Sequence, residues 1–282
     1  WRGARTFHRI GPRRRLMTPR ENRTPSVRYF DALPSTNDYL RERWQEEDDW
    51  LVVQAGCQTK GRGRLQRPWA SPLGGLWFSI LFKNAGETPS HYQRLLGVSA
   101  LRAIEAIDGE AGVFSDLPRT GNGKGFNIKW PNDIVYTNGG PGVLKVAGVL
   151  QENLILGEAK AYIVGIGINV NNPIPPELQG KAVSLRVLFS RDVSIEDLFR
   201  AILQEVSAWR SDAPGVLHLW RQRSLLQRGS LVEIYAEAEG VSFSGEVVET
   251  PVESIEILCS NGQRRRFFAG EVRLRALTPT GG

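Results

Sequence analysis

The chain has few residues of the kinds that hold metals or form cross-links. Its 282 residues include two cysteines and three histidines. Cys57 and Cys259 lie far apart in the sequence, which favours free thiols in a reducing compartment over a disulfide framework. The three histidines are scattered and lack the spacing of a zinc site. We therefore expect a cytoplasmic protein whose fold needs neither disulfides nor a zinc cluster.

Long hydrophobic runs are also missing. No apolar stretch approaches the roughly 20 residues that a helix needs to span a bilayer, so we expect no membrane partner. Hydrophobic residues make up 41% of the chain and charged residues 23%, as in an ordinary soluble globular protein. A chain of this length can form a large core together with a second, smaller domain.

Acidic residues are scarce only at the start of the chain. Residues 1–23 contain eight arginines and one acid, Glu21. Subtracting these from 36 basic and 30 acidic residues leaves 28 and 29, a net charge of −1. This near-neutral body argues against nucleic acid as a partner. The arginine-rich segment could bind polyanions or direct transit, but we favour a disordered arm over residues 1–27, or residues upstream of a start at Met17.

The most informative segment is a loop that combines glycines with arginines. Residues 61–64 read Gly-Arg-Gly-Arg, and residues 69–72 read Trp-Ala-Ser-Pro. Glycines let the backbone close around a ligand, while backbone N–H groups and guanidinium groups bind phosphate and carboxylate oxygens. The loop therefore favours an anionic, nucleotide-like ligand.

Four further blocks accompany this loop in the chain. They are Ser-Thr-Asn at 35–37, Lys-Trp-Pro-Asn-Asp at 129–133, Lys-Val-Ala-Gly-Val-Leu at 145–150 and Gly-Ile-Gly-Ile-Asn-Val-Asn at 165–171. In this order the five blocks resemble the signatures of biotin protein ligases, and the resemblance covers about residues 28–275. Five ordered blocks are a strong signal where any one alone is weak. One departure is Leu65-Gln66, where the family commonly has arginine and glycine.

The resemblance implies an α+β fold with two domains. The mixed-sheet, class II synthetase-like catalytic domain is expected over residues 28–228, and a small SH3-like β-barrel over residues 229–278. The residue pattern also predicts a helix capped by Ser35 or Thr36 and a second helix capped by Ser194. It predicts a half-buried strand over Leu76–Lys83.

The resemblance further implies a two-step reaction with ATP and Mg²⁺ as cofactors. Biotin and MgATP give biotinyl-5′-AMP and pyrophosphate, and the adenylate then acylates a lysine of a biotin carboxyl carrier domain of acetyl-CoA carboxylase or a related carboxylase. About 27 residues precede the catalytic domain, too few for a DNA-binding winged helix. We therefore expect a monofunctional ligase without nucleic acid, as a monomer or weak homodimer.

Roles for individual side chains follow from the same resemblance. Catalytic roles fall to Arg64, Lys145 and Lys129, whose charges would offset the negative charge that develops during adenylation. Biotin is expected to contact Ser35, Thr36, Asn37, Gln58, Arg62, Gly63, Arg64, Lys145 and Gly148. ATP or the adenylate is expected to contact Trp69, Lys129, Asn132, Gly165, Gly167 and Asn169. The expected metal ligand is Asp133.

Alternatives remain for the function and for one surface cluster. A lipoate or octanoate transferase shares the fold, and a non-enzymatic nucleic-acid-binding protein would use the arginine-rich arm. Arg264, Arg265 and Arg266 either steer an acidic carrier domain towards the site or form a solvated hairpin.

Overall fold

The computed structural model describes residues 24–83, 89–109, 124–139, 142–236, 239–250, 254–268 and 272–276. The arginine-rich segment 1–23 therefore lies outside the described residues. Within the described ranges, no helix is both long and apolar enough to cross a membrane.

The first of two regions contains a sheet and, among its described residues, five α-helices. Its strands are β1 (Ser26–Leu33), β2 (Leu51–Gln58), β3 (Leu76–Lys83), β4 (Gly125–Lys129), β5 (Asp133–Thr137), β6 (Val143–Leu156) and β7 (Ala159–Ile168). Its helices are α1 (Thr36–Arg43), α2 (Pro89–Asp108), α3 (Leu185–Phe189), α4 (Ile195–Trp209) and α5 (Ala213–Arg223).

The seven strands form one mixed sheet in the order β1-β2-β3-β7-β6-β5-β4. Strands β1 and β2 pair in parallel, and the remaining neighbours pair antiparallel. Helix α2 packs against β6 and β7 and also contacts α4 and α5. Helix α1 contacts β2, β3 and β7 and contributes Leu40 to a smaller core cluster. This mixed sheet with helices confirms the predicted α+β class.

Two predicted helix starts are confirmed by their caps. The Ser35 hydroxyl accepts a hydrogen bond from the backbone N–H of Asp38 at the start of α1. The Ser194 hydroxyl accepts one from the N–H of Asp197 at the start of α4. Each cap satisfies one of the backbone donors that a helix N-terminus leaves without an intrahelical partner.

Strand β3 is buried on both faces, so the half-buried strand predicted from the sequence is wrong. Phe78 and Ile80 pack in the large core cluster, and both are fully buried. On the opposite face Ser79 is fully buried and Leu81 packs in the cluster with α1. The cause is tertiary: β3 lies between β2 and β7, and α1 covers the face that the sequence pattern leaves open to solvent.

The second region is a five-stranded antiparallel sheet near the C-terminus. Its strands are β8 (Leu231–Ala236), β9 (Val241–Glu249), β10 (Ser254–Cys259), β11 (Arg264–Phe268) and β12 (Val272–Ala276). They follow the order β11-β10-β9-β8-β12. This sheet has its own hydrophobic core, as expected for an SH3-like domain. Cys259 is buried within it, and both Cys259 and Cys57 are free thiols, as predicted.

Trp130 connects the two regions. Its side chain is buried in the hydrophobic core of the C-terminal sheet, together with Leu226. The backbone is joined at the same place, because Leu225 N–H donates to the carbonyl of Ile128 at 2.8 Å. Segment 129–133 therefore lies where the C-terminal domain meets the large sheet.

The three consecutive arginines of β11 have acidic neighbours. Arg264 and Arg266 pair with Glu256 at 3.4 and 2.9 Å, and Arg265 pairs with Glu239 at 3.2 Å. Because these acids balance much of the local charge, the arrangement favours the solvated hairpin over a surface that attracts an acidic partner.

Candidate active site

A cavity of about 510 Å³ brings together every residue to which the resemblance assigned a catalytic, binding or metal role. The cavity lies at the ends of several strands and along β6 and β7. Its lining includes Ser35, Thr36, Asn37, Gln58, Arg62, Gly63, Arg64, Trp69, Lys129, Asn132, Asp133, Lys145, Gly148, Gly165, Gly167 and Asn169. The fold thus brings five separate sequence blocks to one place.

Neutral polar side chains form one part of the site, which we call the amide pocket: Thr36, Asn37, Gln58 and Ser79. The start of α1 supplies Thr36 and Asn37, the end of β2 supplies Gln58, and β3 supplies Ser79. Thr36 N–H donates to Gln58 Oε1 at 2.9 Å, and Ser79 Oγ donates to Asn37 Oδ1 at 2.6 Å. A further 2.7 Å contact joins Thr36 Oγ1 to Ser79 Oγ.

The two glycines of β7 make room for side chains of the protein itself. A Cβ atom at Gly165 would lie 2.1 Å from Asn37 Oδ1, and one at Gly167 would lie 2.4 Å from Trp69 Nε1. Real Cβ atoms do not approach other atoms so closely, so only glycine allows Asn37 and Trp69 to occupy their positions. Both glycines border the cavity, but the Asn37 amide and the Trp69 indole occupy the space beside them.

Charged side chains form a second part of the site, which we call the charged cluster: Arg64, Lys129, Asp133 and Lys145. Lys145 Nζ lies 2.7 Å from Asp133 Oδ1 and 4.8 Å from the centre of the Trp69 ring. A Cβ atom at Gly148 would lie 3.2 Å from Lys145 Cε. The absence of a side chain at Gly148 therefore lets the lysine lie across β6 and reach Asp133.

Burial affects the electrostatics of Arg64. Desolvation lowers the pKa of its guanidinium group, and the nearby Asp133 carboxylate opposes that change. An arginine side chain keeps its charge in a protein even when its pKa falls. Arg64 thus brings a fixed positive charge to a partly desolvated position beside Asp133.

Two of the predicted nucleotide contacts already form bonds within the protein. Asn132 Nδ2 donates to the carbonyl of Val149 at 2.6 Å, and Val149 N–H donates to the carbonyl of Asn132 at 2.9 Å. Asn169 Oδ1 accepts from Asn172 Nδ2 at 3.1 Å. Asn132 therefore fixes segment 129–133 against β6, in addition to lining the cavity.

The arginine loop has a tight turn with an unusual backbone. Gly63 N–H donates to the carbonyl of Arg67 at 2.8 Å. Between them, Leu65 and Gln66 adopt φ values of 55° and 56°. This left-handed region favours glycine because a Cβ atom crowds the backbone there. The departure noticed in the sequence therefore lies at a strained turn.

Arg62 is held away from the turn by two acids. Its Nη2 atom lies 2.8 Å from Asp38 Oδ1 and 2.9 Å from Glu152 Oε2. Sequence reasoning assigned no role to either acid. Glu152 also accepts from Asn37 Nδ2 at 2.8 Å, so it contacts both the arginine loop and the amide pocket.

Asp133 is the one carboxylate among the described residues that line the cavity. No group of three or more His, Cys, Asp or Glu side chains capable of holding a metal occurs in the part of the chain that the structure describes. Mg²⁺ is commonly bound through one or two carboxylates together with substrate phosphates. One carboxylate in a cationic, phosphate-compatible cavity fits such a shared site and does not fit a cage made by protein alone.

A sequence profile of the biotin/lipoate A/B protein ligase family matches residues 29–169, which is half of the chain. This chain belongs to that family. The matched range contains each of the cavity-lining residues to which the sequence assigned a role.

The bifunctional ligase/repressor BirA of Bacillus subtilis is 34% identical to this chain over 166 residues. That match covers 56% of this chain and 45% of BirA. The human biotin–protein ligase is 30% identical over 130 residues, which cover 44% of this chain and 16% of the human protein. The chain therefore spans less than half the length of either relative.

Solved structures match a larger part of this chain than BirA and the human ligase do. A biotin protein ligase from Aquifex aeolicus in complex with biotin and ATP superposes with a TM-score of 0.67 at 28% identity. The match covers 89% of this chain and 99% of that one. A Leishmania major biotin protein ligase with biotinyl-5-AMP has a TM-score of 0.58 at 21% identity and shows likeness of fold. It covers 87% of this chain and all of the Leishmania chain.

One wall of the cavity was not predicted from the sequence. It is formed by the segment after β7 and includes Ile174, Pro175, Leu178, Lys181 and Ala182. Lys145 N–H donates to the carbonyl of Lys181 at 2.8 Å, so this wall pairs directly with β6. No motif identifies the segment, because its position depends on backbone pairing. Ser79 was also missed, although a serine inside an apolar strand is a signal that could have identified it.

Proposed function

We propose that this protein is an ATP-dependent biotin ligase that forms biotinyl-5′-AMP and transfers biotin to a lysine of a biotin carboxyl carrier domain. The observation that carries this proposal is the pairing of a buried neutral amide pocket with a charged cluster in one cavity. Trp69 packs against Gly167 on β7, and Lys145 Nζ lies 4.8 Å from the centre of its ring, so the ring borders the charged cluster.

The amide pocket suits the ureido head group of biotin. A ureido group carries two N–H donors and one carbonyl acceptor, and each needs a partner once it leaves water. The pocket supplies hydroxyl and amide groups on Thr36 and Gln58 in positions fixed by hydrogen bonds. Such a pocket recognises a neutral polar group without placing an isolated charge in the interior.

The charged cluster suits the reaction of the biotin carboxylate with ATP. One carboxylate oxygen attacks the α-phosphorus, a P–O bond forms, and the bond to pyrophosphate breaks. Lys145, Arg64 and Lys129 would offset the negative charge that develops on the phosphate oxygens. In the second step, a carrier lysine amine attacks the acyl carbonyl and AMP leaves. Neither step needs a protein nucleophile, so positioning and charge carry the catalysis.

Asp133 would hold Mg²⁺ together with the phosphates of the nucleotide, as the one carboxylate lining the described cavity. The ion would neutralise phosphate charge and orient the leaving pyrophosphate. Lys145 pairs with the same carboxylate at 2.7 Å. In this proposal Lys145 turns from Asp133 towards the reacting oxygens when the substrates bind.

Similar proteins support the proposal. The matched relatives are named biotin–protein ligases or bifunctional ligase/repressors, and the Aquifex structure contains biotin and ATP. The carrier domain as acceptor is inferred from the reaction class, because an acyl adenylate needs an amine to receive the biotin.

The test uses the purified full chain with biotin, ATP and Mg²⁺. We expect pyrophosphate release and biotinyl-5′-AMP, detected by mass spectrometry. Addition of an apo biotin carboxyl carrier domain should then give a mass increase at one lysine. The proposal is wrong if neither adenylate nor modified carrier forms under conditions in which a known biotin ligase is active.

A lipoate or octanoate ligation is the second candidate, because the family includes lipoate ligases. The dithiolane ring of lipoate and the tail of octanoate have no N–H donors to pair with a buried polar pocket. Such substrates would leave the pocket's polar groups unsatisfied. We therefore expect biotin to be preferred when biotin and lipoate compete, and a preference for lipoate would reverse the assignment.

A further inference from the structure

We propose that Asn172 is a positioning residue that turns the amide of Asn169, so that the NH₂ group of Asn169 donates a hydrogen bond to a ring nitrogen of adenine. The inference rests on the proposed function, because the ligand it concerns is ATP. Asn172 follows the last of the five sequence blocks and does not line the cavity. Its side chain is buried, with 3% exposure, so it reaches the ligand only through Asn169.

Two backbone groups fix the orientation of the Asn172 amide. Val170 N–H lies 3.0 Å from Asn172 Oδ1, and a backbone N–H can only donate a hydrogen bond. The carbonyl oxygen of Pro173 lies 3.3 Å from Asn172 Nδ2, and a carbonyl can only accept. Turning the amide over would bring two donors together at Val170 and two acceptors together at Pro173. Asn172 therefore has one orientation that satisfies both backbone groups.

The orientation of Asn172 determines that of Asn169. Asn172 Nδ2 also lies 3.1 Å from Asn169 Oδ1. If Asn169 turned its amide over, two NH₂ groups would oppose each other. The backbone of Asn169 is held as well, because its N–H donates to the carbonyl of Val146 at 2.9 Å and its carbonyl accepts from Leu185 N–H at 3.0 Å. The NH₂ group is thus the part of Asn169 that is left for a ligand, and it has no protein partner in the ranges that the structure describes.

Asn169 lies at the end of the cavity away from the amide pocket. Gly165, Gly167 and Asn169 alternate along one face of the chain and all border the cavity. Gly165 lies beside Asn37 of the amide pocket, and Gly167 lies beside Trp69. At a strand rise of about 3.3 Å per residue, Asn169 is roughly 13 Å beyond Gly165. With the ureido group in the amide pocket, Asn169 is therefore placed to meet the nucleotide.

The surroundings of Asn169 suit the base of the nucleotide better than its phosphates. Asn169 is a neutral side chain with 6% exposure, whereas Lys145 and Asp133 are charged and remain partly exposed. A neutral N–H group in a nearly dry position suits a neutral acceptor. Adenine has such acceptors in its ring nitrogens, while its amino group is a donor. The NH₂ group of Asn169 would pair with a ring nitrogen and would oppose the amino group.

Replacing Asn172 with aspartate should turn Asn169 over without a change of shape. A carboxylate still accepts from Val170 N–H, but it has no proton for Asn169 Oδ1. Asn169 would then turn its NH₂ group towards the carboxylate and its oxygen towards the ligand. These two donors favour the ionised carboxylate, which should be fully charged at about pH 8.

Asn171→Asp is the matched control. Asn171 Nδ2 donates to the carbonyl of Val193 at 2.8 Å, and Asn171 Oδ1 accepts from Val193 N–H at 3.0 Å. The same substitution one residue away therefore adds the same charge and breaks a bond of the same kind. It leaves the contact between Asn172 and Asn169 in place, so it separates the direction of the amide from damage to the segment.

The experiment compares ATP with 1-deaza-, 3-deaza- and 7-deaza-ATP, each of which lacks one ring nitrogen. The KM of each nucleotide is measured by pyrophosphate release at saturating biotin and at about pH 8, with folding checked by circular dichroism. In the parent, one analogue should have a KM about tenfold higher than that of ATP, because a buried N–H group loses its partner. The KM for biotin should change little in either variant.

The ratio of the analogue KM to the ATP KM reports the direction of the amide. In Asn172→Asp this ratio should fall to about one or below, since an oxygen in place of the NH₂ group is opposed by a ring nitrogen. Repulsion between the added carboxylate and the phosphates raises both KM values alike and cancels in the ratio. Asn171→Asp should keep the parental ratio although its free energy of unfolding falls.

A double substitution tests whether Asn172 acts through Asn169. Asn169→Ala removes the amide and should bring the ratio to about one, because no N–H group is left to lose a partner. Adding Asn172→Asp to Asn169→Ala should then leave the ratio unchanged. A further change in the double variant would show that Asn172 affects the base by another route, which overturns the inference.

Three other results overturn the inference. The first is a parent whose KM is the same for ATP and all three analogues, since no ring nitrogen would then be bonded. The second is a parental ratio in Asn172→Asp, and the third is an equal loss of the ratio in Asn171→Asp. A parent that releases no pyrophosphate from biotin and ATP contradicts the proposed function itself, which distinguishes that failure from the failure of the role given to Asn172.

Discussion

The two parts of the cavity differ in how deeply their polar side chains are buried and in what those side chains bond to. In the amide pocket, Thr36 and Ser79 are almost fully buried and bond to other neutral groups. In the charged cluster, the side chains of Lys145 and Asp133 remain 32% and 22% exposed. Neutral groups can be buried at little cost once their hydrogen bonds are made, whereas buried charges lose a large hydration energy.

This difference indicates where the site is rigid before ligands arrive. Hydrogen bonds between α1, β2 and β3 fix the amide pocket in one arrangement. The charged cluster depends on one ion pair and a lysine that lies over Trp69. We infer that binding specificity is built into the neutral part, while the charged part rearranges around the phosphates. Substitutions in the two parts should therefore affect different steps.

The largest effect is expected in the charged cluster. Lys145→Ala should lower the rate of adenylate formation about 100-fold or more, because removing one preorganised charge-stabilising donor commonly has that cost. Biotin affinity should change much less than the rate. Pyrophosphate release at saturating biotin measures this step.

Two further variants make the Lys145 result specific. Lys145→Arg should restore only part of the rate, because a planar guanidinium differs from a compact ammonium group. Lys160→Ala changes an exposed lysine on β7 and should leave the rate unchanged. A parental rate in Lys145→Ala would remove Lys145 from the chemistry and break the division between the two parts.

An intermediate effect is expected in the amide pocket. Gly165→Ala places a Cβ atom 2.1 Å from Asn37 Oδ1, so the amide must move. Biotin affinity should fall about tenfold, since a displaced amide leaves buried partners unsatisfied. The adenylation rate at saturating biotin should change little.

Gly142→Ala is the control, because a Cβ atom there meets no other atom within 4 Å. Binding and rate should be measured on the same preparations of both variants. If Gly165→Ala lowers the rate and leaves the affinity intact, the proposed separation between binding and chemistry is wrong.

The smallest effect is expected at the turn of the arginine loop, outside both parts. Gln66→Gly removes a Cβ atom from a left-handed position with φ of 56°. The relief of backbone strain, about 1 kcal/mol, is partly offset by the greater freedom that glycine gives the unfolded chain. The net result should be an increase of about 0.5 kcal/mol in the free energy of unfolding.

Urea unfolding of the parent and Gln66→Gly measures this difference. Gln179→Gly is the comparison variant, because Gln179 is exposed and has a negative φ of −58°. Gln227→Gly would not serve, because the Gln227 side chain bonds to the backbone. Gln179→Gly should destabilise the protein. Destabilisation by both substitutions would show that the loop turn carries no strain.

The local features of the fold were readable from the sequence because their causes are local. Ser35 and Ser194 cap helices through bonds to residues three positions away. The five ordered blocks contain many of the residues that line the cavity, since each block carries its own glycines, charges or amides. Glycine at positions 165 and 167 leaves one face of β7 without side chains, a local property of the residue type.

Other features depend on elements that lie far apart in the chain. Burial of both faces of β3 depends on α1, and the wall at 174–182 depends on its pairing beside β6. Trp130 belongs to a motif that lines the cavity, yet its side chain completes the core of the C-terminal sheet. Periodicity within one segment carries no information about which element covers it.

The sequence by itself determined the family, the five motif blocks that contribute to the cavity and the caps of two helices, because residue type and spacing are enough to specify caps, glycine turns and charged motifs. Only the tertiary structure decided that Asn37 and Trp69 fill the bare face of β7. It also decided that Glu152, 115 residues from Asn37, meets that amide. Hydrogen-bond direction depends on which donors and acceptors meet in space, and that is settled only when separate strands pack together.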